Sequence, residues 1–459
     1  MTEFLLAIEL DGTGVHPASW RRADSRAEDL FTGGYWVDAI ATAEKAGIDA
    51  VFLPDSFAPQ PGGHEVTRGV LDAVAIAARV AAATHRIGLL PQAPVTHTEP
   101  FHLAKAIQSL DFAGLGRASL DHLSGGRAAW NVVTSSDAFT GENFRRGGYL
   151  EHSLRYRRAA EVVEATRALW DSWPTDSLVV DRTAGVFARE IPETRYRNTQ
   201  FDIAGRFPLP PSPQGHPVLL QAGDSDDGRE FGAATADAIF TGHGSLEAGQ
   251  RFYADIKGRL AKYGRTPEEL KILPAATFVL GDTATEAEER ARHIRRQQVG
   301  PQTAIAFLEQ VWGRDLSDYD PDGPLPDIEP EADVTITRGR VRHAKDPRAV
   351  AEEWRARAEA DKLSIRELII EVTARQQFVG TPTAVAEQID TYVQADASDG
   401  FILVPHLTPG GLDEFVDRVI PELQERGSFR TEYTGTTLRD HLGLRHPHRN
   451  RILEGASAS

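Results

Sequence analysis

The chain has 459 residues, with 67 acidic against 50 basic side chains, a formal charge of −17 at neutral pH, and no cysteine. Acidity of this size argues against a nucleic-acid partner or an anionic membrane surface, and the missing thiols exclude disulfides, thiolate metal sites and cysteine nucleophiles. Glu3 and Glu9 stand where a secretory leader would be basic, and no run reaches the roughly 18 apolar residues of a membrane span, so a soluble, unprocessed, cytoplasmic protein is expected.

In chain order, short apolar runs ending in polar or glycine residues predict strands over 4–10, 50–54, 86–90, 129–133, 217–221, 238–241, 271–280 and 400–404. Helical periodicity predicts helices near 35–46, 71–82, 101–110, 153–173, 230–235, 246–263, 285–310 and 382–395. Strand and helix alternating in this way imply parallel pairing with right-handed crossovers, and closure into a (β/α)8 TIM barrel is the economical solution. An open doubly wound sheet is the rival, and it too would carry its site at the strand C-termini.

Two proline-rich and charged stretches, 176–215 and 316–347, break the alternation and read as insertions into a single barrel domain over 1–440. The segment SLDFAGLGRA at 109–118 is nearly repeated as SLDHLSGGRA at 119–128, which reads as a local duplication lengthening the approach to the fourth strand. The end of the chain, 441–459, reads as a polar tail that packs over a neighbour or frays. Its His441, His446 and His448 lack metal-site spacing.

The familiar nucleotide and hydrolase motifs are missing. Gly12, Gly14 and the Gly114/Gly116 pair do not follow the strand-turn-helix order of a dinucleotide fingerprint, and there is no Walker loop, HExxH or GxSxG. What remains is a set of polar residues at strand ends, the face on which such folds carry their chemistry: Asp55, Thr96 with His97, Asn131 to Ser135, and Asp224 with Ser225. In QAGDSDDGREFG, Ser225 opens a helix whose first N–H groups suit a phosphate, although the neighbouring aspartates oppose an anion and Ser225 could equally serve as an N-cap. His152 and Tyr156, four apart on one helical face, could donate two hydrogen bonds to a phosphate or ring carbonyl, or be a surface pair beside a solvated face of Arg155, Arg157 and Arg158. His16 follows the first strand, and Trp20 could cover the mouth or simply pack.

The segments LDHLSGGRAAWNVVTS, PVLLQAGDSDDGREFGA, RYRRAAEVVEATRALWDSW, VGTPTAVAEQI, DGFILVPHLTPGGLDEFVDRVIPELQERG and FRTEYTGTTLRDHLGL resemble the bacterial-luciferase-like flavin monooxygenases. More narrowly, they resemble the subgroup of nitrilotriacetate monooxygenase, pristinamycin synthase and dibenzothiophene-sulfone monooxygenase. The resemblance runs from Gly12 to about Leu444. It implies a luciferase-like barrel that binds reduced FMN and uses O2 to oxygenate a small organic substrate, with Asp55, Thr96, His152, Tyr156 and Ser225 contacting FMN. It also implies a separate NAD(P)H-dependent flavin reductase as functional partner and a homodimer or homotetramer. Asn131 is a candidate for holding a flavin edge and His16 for proton transfer. The segment departs from the subgroup at QAPVTHTEPF and at Asp224. A deazaflavin-dependent oxidoreductase and a non-catalytic flavin-binding paralogue are the alternatives.

Overall fold

A computed structural model describes residues 4–57, 69–113, 126–135, 140–141, 143–144, 151–174, 177–334, 336–337, 340–341, 346–373 and 376–447. Most of the near-repeat and His448 therefore lie outside the described residues. Eight strands close a parallel barrel in the order of the chain: β1 (Leu5–Glu9), β2 (Ala50–Leu53), β3 (Gly88–Pro94), β4 (Ala129–Val133), β5 (Val218–Ala222), β6 (Ala238–Thr241), β7 (Lys271–Ala276) and β8 (Gly400–Leu403), with β8 pairing back onto β1. Strands buried on both faces must be apolar nearly throughout, which is why they read as runs rather than alternations.

Around them stand α1 (Gly33–Lys45), α2 (Ala73–Ala81), α3 (Pro100–Ala113), α4 (His152–Trp170), α5 (Asp226–Thr235), α6 (Leu246–Arg259), α7 (Ala284–Gln298), α8 (Pro301–Trp312), α9 (Pro347–Asp361), α10 (Ile365–Thr373), α11 (Pro382–Gln394), α12 (Gly410–Arg418), α13 (Ile420–Glu425) and α14 (Leu438–His441). Alternation along each strand separates the barrel interior from the helix layer. On β4, Trp130 points outward, its ring 6.5 Å from Trp170 of α4 and its indole N–H bonded to the Ala93 carbonyl at 2.9 Å, while Ala129 lies with Ala7, Ala50, Phe52, Leu90 and Leu220 in the interior.

Five expectations need correction. The expected helix over 285–310 is two helices, because Val299 is extended and Gly300 caps a new helix whose first residue is Pro301, and proline cannot continue a helix from before it. The expected strand over 271–280 leaves the barrel after Ala276; Phe278–Leu280 instead pairs in parallel with Phe378–Gly380. The expected strand over 86–90 starts at Gly88 and runs on to Pro94, because Pro91 and Gln92 interrupt the apolar run without ending the pairing. From the excursion at 316–347, Leu316 joins a helical layer in which it, Ile305, Leu308, Trp312, Ile365 and Ile369 bury one another. The 176–215 stretch contains two hairpins, Leu178–Asp181 with Val186–Ala188 and Thr194–Arg197 with Asp202–Gly205.

The last correction concerns the end of the chain, which neither frays nor needs a neighbour as far as residue 447. Leu438, Leu442 and Leu444 plug the N-terminal end of the barrel, and residue 440 lies inside α14. Arg439 anchors the plug, pairing with Asp237 at 2.8 Å and donating to the His216 carbonyl at 2.9 Å. No helix of the described residues is long and apolar enough to cross a membrane.

Candidate active site

At the C-terminal end of the barrel the polar strand-end residues form two clusters. In the first, Asn131 points inward from β4 and is 1% exposed; its amide N–H donates to Gln92 on β3 at 3.4 Å, and the Gln92 amide donates to the backbone carbonyl of Asp55. The Asp55 carboxylate accepts from the N–H groups of Ser56 (2.7 Å) and Ala73 (2.9 Å), so it sits at the start of α2, where a helix favours negative charge. Burial raises its pKa and those two N–H bonds oppose the rise. Thr96 stitches the neighbouring ends together, its hydroxyl oxygen accepting from the Ser135 N–H at 3.0 Å. Beside it, the Phe144 ring stacks on His97 at 4.8 Å and lies 5.5 Å from Phe57.

Arg155 and Arg158 correct the expectation of a solvated face. They are 5% and 1% exposed and clamp the strand ends: Arg155 donates to the Ser135 carbonyl at 3.2 Å, and Arg158 to the Val95, Thr96 and Thr98 carbonyls at 3.0, 2.9 and 2.8 Å. Only Arg157 is exposed, bonding Glu161 at 3.3 Å.

The second cluster is the turn between β5 and α5. Ser225 is the N-cap, its hydroxyl oxygen accepting the Gly228 N–H at 3.1 Å. Tyr156 reaches this turn from α4: a Cβ added to Gly223 would lie 2.6 Å from the Tyr156 hydroxyl, and one added to Gly228 2.8 Å from it. The two glycines thus let the phenol hydroxyl approach the backbone at the helix start, where any Cβ would collide with it. Gln221, 2% exposed, puts its amide nitrogen beside Gly223, while its amide oxygen lies beside Gly232 of α5 and has no hydrogen-bond partner among the described residues. The neighbouring aspartates have partners elsewhere. Asp224 accepts from the Thr241 hydroxyl at 2.5 Å, and Asp226 pairs with Arg259 at 2.7 Å. His152 begins α4, the helix that carries Tyr156.

Of the sequence candidates, Asp55 and Asn131 meet through Gln92, and Thr96 stands over the same strand ends. Tyr156 and Ser225 meet at the second cluster. His16 sits apart from both bonding networks. It is 5% exposed in the wall of a cavity of about 360 Å3 shared with Arg290, Ile294, His406 and Glu414. Its Nδ1 accepts the Ala18 N–H at 3.0 Å and its Nε2–H donates to the Ile294 carbonyl at 2.9 Å, while burial lowers its pKa. Trp20 is 37% exposed with the Arg21 guanidinium 5.4 Å over its ring. Sequence reasoning missed Gln92, Glu9 and Gln221. The available signal was a polar residue within each of the otherwise apolar strands LLPQAP, LLAIE and VLLQA.

The family model of luciferase-like monooxygenases matches residues 13–399. The chain belongs to this family. Among curated relatives it is 38% identical to N-acetyl-S-(2-succino)cysteine monooxygenase of Bacillus subtilis (96% of this chain, 97% of the relative). It is 36% identical both to nitrilotriacetate monooxygenase component A of Aminobacter aminovorans (95% of each chain) and to dibenzothiophene-sulfone monooxygenase of Rhodococcus erythropolis (95% of this chain, 94% of the relative). Its fold matches that of EDTA monooxygenase from Chelativorans sp. BNC1 with a TM-score of 0.75 and 28% identity, covering 97% and 99% of the two chains. It also matches riboflavin lyase, solved with modified FMN and riboflavin, with a TM-score of 0.79 and 25% identity over the whole of both chains. The protein is a flavin-dependent monooxygenase with the (β/α)8 architecture of its luciferase-like relatives.

The two clusters fit a flavin mononucleotide. A phosphate needs donors, which the α5 start and the Tyr156 hydroxyl beside it offer. A heteroaromatic ring edge needs buried polar partners, and Asn131 keeps a buried amide oxygen without one.

Proposed function

We propose that the protein is the oxygenase component of a two-component system, taking reduced FMN from a separate NAD(P)H-dependent reductase and using O2 to oxygenate a small organic substrate. The observation that carries this reading is the meeting of the Tyr156 hydroxyl with the Gly223–Gly228 turn at a helix start, which is not a dinucleotide fingerprint. A separate reductase is in keeping with the words "component A" in the name of the nitrilotriacetate relative. When bound, reduced flavin supplies the two electrons with which one atom of dioxygen enters the product and the other leaves as water.

The chain's own part is to hold and to shelter. In this reading His152, Tyr156 and Ser225 hold the FMN phosphate, while Asp55, Thr96 and Asn131 line the ring side with Gln92 fixing the Asn131 amide. The Arg155 and Arg158 clamps keep the ends of β3 and β4 rigid beneath it. Proton transfer by His16 would first have to break its bond to the Ile294 carbonyl, so the reading gives His16 the task of tying the β1 loop to α7. Cytoplasmic residence accords with the acidic, cysteine-free composition. A homodimer or homotetramer is supported by the hairpin at 178–188, whose Leu178, Val179, Val180, Val186 and Phe187 are 38–68% exposed. Deazaflavin-dependent neighbours share only the fold, with TM-scores of 0.55 and 0.52 at 12% and 14% identity.

The test is anaerobic titration with photoreduced FMN followed by mixing with oxygenated buffer. Binding, with reoxidation slower than that of free flavin, supports the oxygenase. Absence of FMN binding sinks it. Phe187→Glu should lower the mass measured by light scattering if the hairpin joins protomers; an unchanged mass removes it from the interface.

A further inference from the structure

The loop that follows β1, the end of α7 and the start of α8 enclose a cavity of about 380 Å3. Of the described residues that line it, four are arginines, Arg21, Arg22, Arg296 and Arg366, and none is acidic, in a chain whose formal charge is −17. Arg366 of α10 is held in place: its Nε donates to the Val299 carbonyl at 2.8 Å and its Nη2 to the Arg296 carbonyl at 2.9 Å, which leaves Nη1 without a described partner. Arg22 gives its Nε and Nη2 to Asp24 at 3.1 and 3.3 Å. Arg21 stands 5.4 Å over the Trp20 ring, and neither it nor Arg296 forms an ion pair with a described residue. Glu367, a carboxylate on which Arg296 acts, is committed to the N–H and hydroxyl of Ser364 at 2.9 and 3.0 Å. The backbone adds charge of the same sign, because Gly300 at the N-cap of α8 has no side chain to accept the first N–H groups of that helix.

Like charges gathered round one cavity repel one another, and that repulsion persists until a counter-charge enters. We propose that this cavity is a binding site for a small, multiply charged oxyanion of the diphosphate or polycarboxylate kind, with Arg21, Arg296 and Arg366 as its ligating side chains. A guanidinium meets such groups through two parallel N–H bonds, so several forks round one space call for a ligand with several oxyanion edges and not for a lone carboxylate. The volume is that of a small-molecule site. The site is distinct from the α5 turn, since its residues come from the β1 loop, α7, α8 and α10, and it does not rest on the proposed oxygenase function. Its wall shares Ala18, Arg22 and Gln297 with the cavity that holds His16. A bound anion therefore draws the β1 loop toward α7 and α10, tightening the junction that His16 already makes with the Ile294 carbonyl.

The experiment is calorimetric titration of the protein with inorganic pyrophosphate, citrate and acetate at equal ionic strength, with FMN in excess. Pyrophosphate or citrate should bind at least tenfold more tightly than acetate, and the tighter of the two identifies the kind of oxyanion. The Arg21→Gln/Arg296→Gln double variant, altered only at exposed positions, should weaken that ligand about tenfold. Arg296→Lys, which keeps the charge but not the fork, should weaken it less. Tyr156→Phe, at the α5 turn, should leave it unchanged. No binding of either polyanion, acetate binding as tightly as both, an affinity unchanged in the double variant, or an equal loss in Tyr156→Phe overturns the inference. Failure to bind FMN, read separately by fluorescence, overturns the oxygenase reading alone.

Discussion

The two ends of the barrel treat buried charge in opposite ways. At the N-terminal end, Asp237 meets Arg439 through two contacts of 2.8 and 3.2 Å, Asp49 meets Arg430, and three leucines of the C-terminal segment close the opening. At the C-terminal end no described cation acts on Glu9, and the Asn131 amide oxygen has no partner among the described residues. The physics of desolvation is the same at both ends, but ion pairs hold the plug in place at one, although both His441 ring nitrogens there lack a partner among the described residues, while the proposed ligand site lies at the other.

The largest effect that would break the comparison lies in the plug. Arg439→Ala leaves Asp237 buried without its cation and should cost about 3–5 kcal/mol in urea unfolding; a loss under 1 kcal/mol would show the pair to be ornamental. Acid should act in the same direction. Burial opposes ionisation of Asp237, but Arg439 prevails and the net shift is downward. A lowered folded pKa means that this contribution is present above the unfolded carboxylate range near about 4 and fades as pH falls through the folded value.

At the other end, Gly223→Val should weaken FMN binding tenfold or more, about 1.4 kcal/mol, because the new side chain would collide with the Tyr156 hydroxyl and the Gln221 amide and push the phenol from the turn. Fluorescence titration reads this, and a wild-type affinity would remove the turn from the site. Ser225→Ala loses the N-cap bond to Gly228, worth about 1 kcal/mol in thermal unfolding, and should weaken FMN several-fold with the fold intact. Loss of stability with unchanged FMN affinity would reduce Ser225 to a cap.

The pH profile of stability sharpens the contrast furthest. Glu9 has a raised folded pKa, so its neutral form is favoured in the fold and stability should decline as pH climbs from the unfolded glutamate range toward about 8. Glu9→Gln should remove that decline and match the wild type at pH 4. Identical melting curves for the two proteins at pH 7.5 would place Glu9 in ordinary solvent contact.

Much of the fold was legible because parallel strands buried on both faces leave unbroken apolar runs. β4 and β6 were predicted to the residue, and all eight barrel strands were anticipated, with ends displaced where apolar character outlasts pairing, as at 277–280, or where pairing outlasts it, as in β3, which continues through Gln92 to Pro94. The candidate site was legible where a motif has a local grammar, as in the serine that opens α5. It was illegible where the message is three-dimensional. Arg155 and Arg158 look solvated in a helix rich in charge, and only the docking of α4 on the ends of β3 and β4 buries them. Gln92 and Glu9 interrupt apolar strands by one residue each, and no one-dimensional pattern tells a polar residue aimed at a ligand from one turned to solvent.

The amino-acid sequence by itself determined the alternation of strand and helix, the face that carries chemistry and, through its resemblance, the flavin oxygenase family, because these depend on local periodicity and on ordered blocks of residues. The tertiary structure alone decided that the end of the chain plugs the barrel and that Tyr156 meets the α5 turn. It also decided that Glu9 faces the mouth with no hydrogen bond from a described residue. Each of these turns on which groups from distant parts of the chain share a small volume, and the free energy of a buried charge or amide is set by those neighbours.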